Sequence, residues 1–446
     1  FYGTGNPASI NVLDKEHADS RKGIFMIDAS RGFMKDGNKN RLREQDIHRI
    51  VDVFNKQVEI DKYSRMVPFG EIERNEFNLN IPRYIDSQEP EDTQDIEAHL
   101  LGGIPNADLD ALKPYWEVCP SLRKALFVPG DRKHYSRLAT KSDQIRSTIL
   151  ANPEFAAFNK AAQGLFTKWK TKNLPKLKGI EVGDKPKKLI PVLSEDLLQS
   201  FAGLGLIDRY DVYQHLLTYW TETMQDDVYA LVDDGWEAGG QIEKDPKKKK
   251  EWEGRLIPKE LLVHRYFSPE QEAIEKLEAD RDAGVRQMEE MVEEHGGDEG
   301  LLTEVINEKG KITKAVVQRR AREVQHDDEF ADELAVLKQY LNLLEQEAEA
   351  NKKIREAQSG LEKKVLDKYK ALNVEEIKAL VVEDKWLAEL ETDVQAEIHR
   401  VSQGLTERVR ELAERYEKPL PSLTTEVGSL EQRVQGHLAK MGFTWK

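Results

Sequence analysis

The chain has 446 residues, 33% of them charged and 39% hydrophobic, and a formal net charge of −15. This length allows at least two domains with sizeable cores, and the acidic balance excludes a protein that coats nucleic acid indiscriminately. No stretch reaches the roughly 18 apolar residues of a membrane span, and the single cysteine, Cys119, rules out an internal disulfide and fits a reducing cytoplasm.

In chain order, Phe1-Tyr2-Gly3-Thr4-Gly5-Asn6-Pro7 reads as a tight turn. It lacks the third glycine, the preceding strand and the later acidic residue of a dinucleotide-binding turn. Such a turn can be purely structural, or it can bring Phe1, Tyr2 and Thr4 to the mouth of a sheet where an aromatic stacks on a flipped base. Residues 9–13 and 24–28 predict two strands, most simply a hairpin, that close a larger sheet. The rest of that sheet does not follow, so the chain is expected to be the C-terminal part of a longer protein.

Leu42, Ile47, Ile50, Val51 and Phe54 recur near a 3.6-residue period and predict a helix over 40–56, after which Pro68-Phe69-Gly70 and Ile81-Pro82 break residues 57–86 into a wrapping extension. Residues 87–93 are a polar joint. Helices follow, with a break near Asn152-Pro153 between two of them and more helix over 193–220 and 223–232; their tryptophans and tyrosines read as core anchors. From Pro269 the helices lengthen. Trp386, Leu390, Val394, Ile398, Val401, Leu405, Val409, Leu412 and Tyr416 step by threes and fours, an unbroken stripe that a partner helix must bury. That partner is either another subunit or the last helix of this chain, marked by Val427, Leu430, Val434, Leu438 and Met441.

Charge is unevenly placed. Residues 1–86 hold 14 basic and 14 acidic groups, 160–188 hold nine lysines against Glu181 and Asp184, and 269–446 hold 27 basic against 40 acidic groups. Lys168, Lys170, Lys172, Lys176 and Lys178, interleaved with Trp169, Leu174 and Leu177, form either a strip that neutralises backbone phosphate or a lysine-rich linker. Lys247 to Lys250 form a shorter cluster that reads as an exposed loop. The ten histidines show no zinc-site spacing, so no metal is expected, and Asp226-Asp227 and Asp233-Asp234 read as solvated faces or caps rather than catalytic pairs.

The ordered words Phe1-Tyr2-Gly3-Thr4-Gly5, Phe25-Met26-Ile27-Asp28-Ala29-Ser30-Arg31, Asn40-Arg41-Leu42-Arg43, Tyr63-Ser64-Arg65 and Phe77-Asn78-Leu79-Asn80-Ile81-Pro82-Arg83-Tyr84 resemble the modification subunit of type I restriction-modification systems. Asp211-Val212-Tyr213, Met224-Gln225-Asp226-Asp227-Val228-Tyr229, Lys385-Trp386 and Met441-Gly442-Phe443 resemble its long-tailed members. The resemblance implies an adenine-N6 DNA methyltransferase that uses S-adenosylmethionine, a specificity subunit that reads the target, and a complex that also holds a second methyltransferase subunit, a restriction translocase subunit and DNA.

It further implies an α/β edge of a truncated Rossmann-like methyltransferase domain over 1–86, a mainly helical intermediate region over 87–268, and a tail of long amphipathic helices over 269–446 for subunit assembly. Phe1, Tyr2, Thr4 and Asn6 match the family's late motif near the target-base pocket. Trp386, Leu390, Val394, Ile398, Leu405 and Leu412 are the candidates for packing on a partner helix. The family's glycine-rich donor motif and its Asn-Pro-Pro-aromatic motif are absent from these residues. No catalytic or cofactor-binding residue is therefore assigned, and the chain alone is expected to be inactive. The alternative is a non-enzymatic helical scaffold of the same complex.

Overall fold

The computed structural model describes residues 9–16, 18–37, 39–87, 93–244, 252–297, 300–307 and 310–443. A mixed α/β region with small sheets is followed by a long, mainly α-helical region. The chain forms two compact units, one of residues 1–180, 184–229 and 386–446, the other of 181–183 and 230–385.

In the first unit, β1 (Gly23–Ile27) pairs antiparallel with β4 (Ser64–Pro68), with Ile24 opposite Val67 and Met26 opposite Arg65. The expected hairpin between 9–13 and 24–28 does not form. Residues 9–13 carry no strand, and Ile10, Val12 and Leu13 stand 63–95% exposed. The partner of β1 comes instead from beyond the following helix, because pairing there buries Met26 and Val67 with Ile72, Tyr84 and Ile85. A second small hairpin, β2 (Met34–Asp36) and β3 (Lys39–Arg41), lies between them.

Helix α1 (Glu44–Lys56) forms within the predicted 40–56, whose first residues belong to β3, and its inward side is mixed, polar at the first turn and apolar at Val53. The Asp46 carboxylate accepts from the Arg43 backbone N–H at 2.8 Å, and Gln45, Asp46 and Val53 are buried, whereas Ile47, Val51 and Phe54 stand 43–49% exposed. The inward polar side is satisfied by α5 (Arg209–Tyr219): the backbone N–H of Gln45 donates to Gln214 Oε1 at 3.0 Å and Gln45 Nε2 donates to Asp211 Oδ1 at 2.9 Å.

The helical part of this unit is built on α2 (Ile145–Ala151), α3 (Pro153–Lys178), α4 (Pro186–Ser200), α5 and α10 (Ala388–Arg415). The break between α2 and α3 falls at Asn152-Pro153 as read, because Pro153 suits a first helical position and the Asn152 side chain accepts from the N–H groups of Glu154 and Phe155. Phe155, Phe158, Ala162, Phe166, Trp169, Asn173 and Leu177 recur at threes and fours along α3 and are buried. Trp169 is 1% exposed, with its indole N–H on Leu193 O at 3.2 Å. A core anchor of this kind uses both the ring area and the single donor of tryptophan.

The second unit contains α6 (Gln225–Asp234) from Ala230 onward, then α7 (Ser268–His295), α8 (Lys314–Glu323) and α9 (Ala331–Lys370). Helices α7 and α9 run antiparallel, since Glu270 meets Lys364 at 2.9 Å and Glu278 meets Gln358 at 3.0 Å. Where they meet α8 they enclose a core of Met288, Met291, Leu302, Val305, Val317, Val324, Leu337, Tyr340 and Leu343. Arg320 grips buried Glu333 through two hydrogen bonds, 2.7 and 3.1 Å, which satisfies the carboxylate that α9 carries into that core. Gly254 allows a close approach in this unit: a Cβ there would collide with the Ile257 backbone oxygen and the Tyr369 hydroxyl. Gly254→Ala is therefore expected to destabilise the unit by ~1–3 kcal/mol, read as a lower urea midpoint.

The stripe on α10 is covered within the first unit. Trp386, Leu390, Val394, Ile398, Val401, Leu405, Val409, Leu412 and Tyr416 are all 4% exposed or less, against α2, α3 and α5. The last helix, α11 (Leu420–Lys440), supplies none of this cover and has no buried residue. Of the two covers considered, another subunit or the last helix, neither buries the stripe here; α2, α3 and α5 of the same unit do.

Candidate nucleic-acid interface

The target-base candidates Phe1, Tyr2, Thr4 and Asn6 lie outside the described residues, as does the Lys247 to Lys250 cluster. The lysine strip lies on α3. Its core-facing residues fix the helix orientation, which leaves Lys168, Lys172 and Lys176, one helical turn apart, exposed. Lys170 and Lys178 are half-buried.

The strip is partly neutralised by its own unit. Lys170 Nζ meets Glu391 Oε2 at 3.0 Å, Lys172 pairs with Asp196, and Lys176 donates to Asn173 Oδ1 at 2.9 Å. Burial would raise the Asp196 carboxyl, but hydrogen bonds from Lys172 and Asn173 outweigh it and hold the group below its ordinary range.

The α3–α4 connection brings Lys185, Lys187 and Lys188, all exposed, to the start of α4. They extend the basic region beyond the residues singled out from sequence. The lysine count over 160–188 contained that signal, but the alternation with Trp169 and Leu174 drew attention to α3 alone.

A second feature is a polar cleft of about 410 Å³ between the β1 end, α1, the 61–63 turn and the start of α5. Arg43 holds Asp46 with two 2.9 Å bonds, and Arg49 meets Asp208 at 3.2 Å while its guanidinium lies 4.5 Å over the Tyr63 ring. Nearby, Arg209 and the Tyr210 hydroxyl both bond Asp52, at 3.1 and 2.8 Å. Burial first, and then the Asp52 bond, push the Tyr210 phenol up to about 12. These arginines and carboxylates neutralise one another, so the arrangement ties α1 to α5 rather than presenting a poised acid or base.

Residues 1–93 match the family model described as N-6 DNA Methylase. The α/β segment is linked at family level to the adenine-N6 DNA methylases. The chain is also similar, over part of its length, to type I restriction enzyme methylase subunits. One, MjaVII from Methanocaldococcus jannaschii, is 36% identical over 104 residues, 22% of this chain and 18% of the relative. Another, MpnII from Mycoplasma pneumoniae, is 32% identical over 112 residues, 25% of this chain and 20% of the relative. The chain thus matches about a fifth of the length of these curated relatives. No solved structure matches.

The methylase-like segment contains β1, α1, β4 and most of the polar cleft, including Asp28, Arg43, Asp46, Arg49, Tyr63 and Ser87. The lysines of α3 and α4 and the stripe of α10 lie beyond it. The described residues do not fit a site for the methyl donor, because Arg43 and Arg49 are held by Asp46 and Asp208 and no glycine-rich loop borders the cleft. No group of three or more His, Cys, Asp or Glu side chains suited to a metal ion occurs among the described residues. Nor is any helix among them long and apolar enough to cross a membrane.

Proposed function

We propose that this chain works as part of the modification subunit of a type I restriction-modification system. The intact subunit then transfers a methyl group from S-adenosylmethionine to adenine N6 in DNA at sites chosen by a specificity subunit, alongside a second methyltransferase subunit and a restriction translocase subunit. The observation that carries this reading is the methylase match over residues 1–93.

The exposed stripe of Ile47, Val51 and Phe54 on α1 supports it as well, because an apolar face beside a two-stranded sheet suits burial against the rest of a larger domain. On this reading residues 1–86 complete the methyltransferase domain, 87–268 form a helical intermediate region and 269–446 serve assembly. Phe1, Tyr2, Thr4 and Asn6 border the target base. Donor binding and catalysis belong to motifs absent from these residues, so the chain alone is inactive.

The test is methyl transfer from labelled S-adenosylmethionine to a duplex carrying the target site, using the polypeptide that contains this stretch together with its specificity subunit. Label at adenine N6 is expected. A folded complex that leaves adenine unlabelled overturns the enzymatic reading and favours the scaffold.

The lysines of α3 and α4 are assigned to phosphate. Replacing Lys168, Lys176, Lys187 and Lys188 with glutamine is expected to weaken binding similarly for all duplex sequences. The slope of log affinity against log salt should become shallower by about 0.9 for each phosphate that is no longer neutralised. An unchanged slope in fluorescence anisotropy removes the assignment.

A further inference from the structure

The stretch that leads into α2 is basic. Residues 120–150 hold seven arginines and lysines against Asp131 and Asp143, in a chain whose formal net charge is −15. Within it, β6 (Phe127–Pro129) and β7 (Tyr135–Leu138) join β5 (Ile104–Pro105) in an antiparallel sheet of the first unit, with β7 in the middle. The register sets Phe127 opposite Leu138 and Ile104 opposite Ser136 on one face, where Phe127 and Ile104 are buried. Arg137 points to the other face with Val128 and Tyr135, and it is exposed.

The β6–β7 turn is fixed by its backbone. The Gly130 N–H donates to Tyr135 O at 2.8 Å, and His134 O accepts from the Asn106 N–H at 2.9 Å. His134 has φ +70°, a left-handed conformation that costs a non-glycine residue roughly 1–2 kcal/mol. Lys133 and His134 are exposed at this strained tip. Arg123 and Arg132 are paired, with Asp110 at 2.8 Å and Glu97 at 2.6 Å. Lys124, Lys133, Arg137, Lys141 and Arg146 are exposed and meet no carboxylate among the described residues. Unpaired like charges this close in the chain repel one another, and a polyanion relieves that repulsion.

We propose that this sheet and the segments flanking it bind the phosphate backbone of duplex DNA, as a surface separate from the lysines of α3 and α4. That the polyanion is DNA rests on the methylase reading of residues 1–93. The contact is to phosphate rather than to bases, because Tyr135, the aromatic ring on this face, is covered by the Arg132 guanidinium at 3.8 Å and its hydroxyl donates to Asp95 Oδ2 at 3.1 Å. The Ser121 N–H, just before β6, donates to Glu154 Oε2 at the start of α3 at 2.8 Å. Lys176 lies ~33 Å farther along that helix at about 1.5 Å per residue, so the two surfaces reach different phosphates.

The test uses the complex assembled for methyl transfer and a labelled duplex without the target site, reading fluorescence anisotropy against salt. Lys133→Gln/Arg137→Gln/Lys141→Gln is expected to make the slope of log affinity against log salt shallower by about 0.9 for each phosphate released. Combined with the α3–α4 replacements, the two decreases should add. All three positions are exposed, so unchanged circular dichroism is expected. Duplex should also slow acetylation of Lys124, Lys133 and Lys141, read by peptide mass spectrometry. A variant slope equal to the parent's, or acetylation as fast with duplex as without it, overturns the proposal, and label at adenine N6 in the same preparation then leaves the methylase reading standing. Duplex binding that depends on these residues in a complex that leaves adenine unlabelled keeps the surface and removes that reading. Protection by polyglutamate but not by duplex assigns the surface to an acidic protein and overturns the proposal.

Discussion

Trp386→Ala is expected to lower the stability of the first unit by ~3–5 kcal/mol, a large share of what holds a domain together. Trp386 is fully buried at the start of the α10 stripe, and its indole N–H donates to Asp227 Oδ2 at 2.8 Å. Alanine removes the ring volume and also the donor facing a carboxylate that is itself only 6% exposed. Trp386→Phe keeps a six-membered aromatic ring but loses the pyrrole part and its N–H donor, so its stability is expected to fall between those of the parent and the alanine variant. Urea unfolding followed by circular dichroism checks both. A midpoint unchanged in the alanine variant would show that the packing of α10 is not what stabilises the unit.

The second large effect is on acid stability and centres on Glu397. This carboxylate lies on α10, 3.8 Å from His215 Nε2 on α5 and 3.0 Å from Arg400 Nε. Burial alone would raise its pKa, but His215 and Arg400 outweigh burial and bring it to about 2, from the ordinary 4.5. A depressed carboxyl stabilises the fold above its unfolded pKa and loses that contribution as pH falls through the folded value. The difference corresponds to ~3 kcal/mol lost between about pH 5 and pH 2.

His215 has the opposite sign. Its attraction to Glu397 and then Asp393 raises it against the effect of burial, so its contribution is complete below the ordinary histidine range and disappears as pH rises through the folded value. Asp211 and Asp393, raised mainly by burial, are less unfavourable when protonated and blunt the acid limb. Glu397→Gln is therefore expected to flatten the dependence of unfolding free energy on pH below about 5, and His215→Gln to flatten it above about 6.5. Chemical denaturation across pH checks both limbs; an acid limb as steep in Glu397→Gln as in the parent would place the titration elsewhere.

Local signals in the sequence carried well where one residue type has one favourable place. Asn152-Pro153 read as a helix break because asparagine caps and proline starts helices, and both do so here. The step pattern from Trp386 to Tyr416 read as a buried stripe and is one. The same reasoning failed at residues 9–13, where apolar residues suit a strand but no neighbouring strand is placed to pair with them. It also overlooked the short strands Phe127–Pro129 and Tyr135–Leu138, which are too brief for a periodic signal.

The candidate site was legible only as composition. A lysine count marks a basic region, yet whether each ammonium is free depends on distant residues such as Glu391, which pairs with Lys170, and Asp196, which pairs with Lys172. The polar cleft was not foreseen at all. Its arginines and aspartates come from segments about 160 residues apart in the chain, and no local spacing marks such a meeting.

By itself, the sequence determined that residues 1–93 carry a methylase signature, that the later chain is helical, and where its apolar stripes run. Periodicity and motif spacing are properties of neighbouring residues, so they survive without knowledge of the fold. Only the tertiary structure decided what each stripe meets: α10 is enclosed by α2, α3 and α5, while α1 buries Gln45 and Asp46 beside Val53 and leaves Ile47, Val51 and Phe54 exposed, and α11 buries none of its residues. An amphipathic pattern fixes the face that favours burial, but burial itself depends on which surfaces the rest of the chain brings within contact distance.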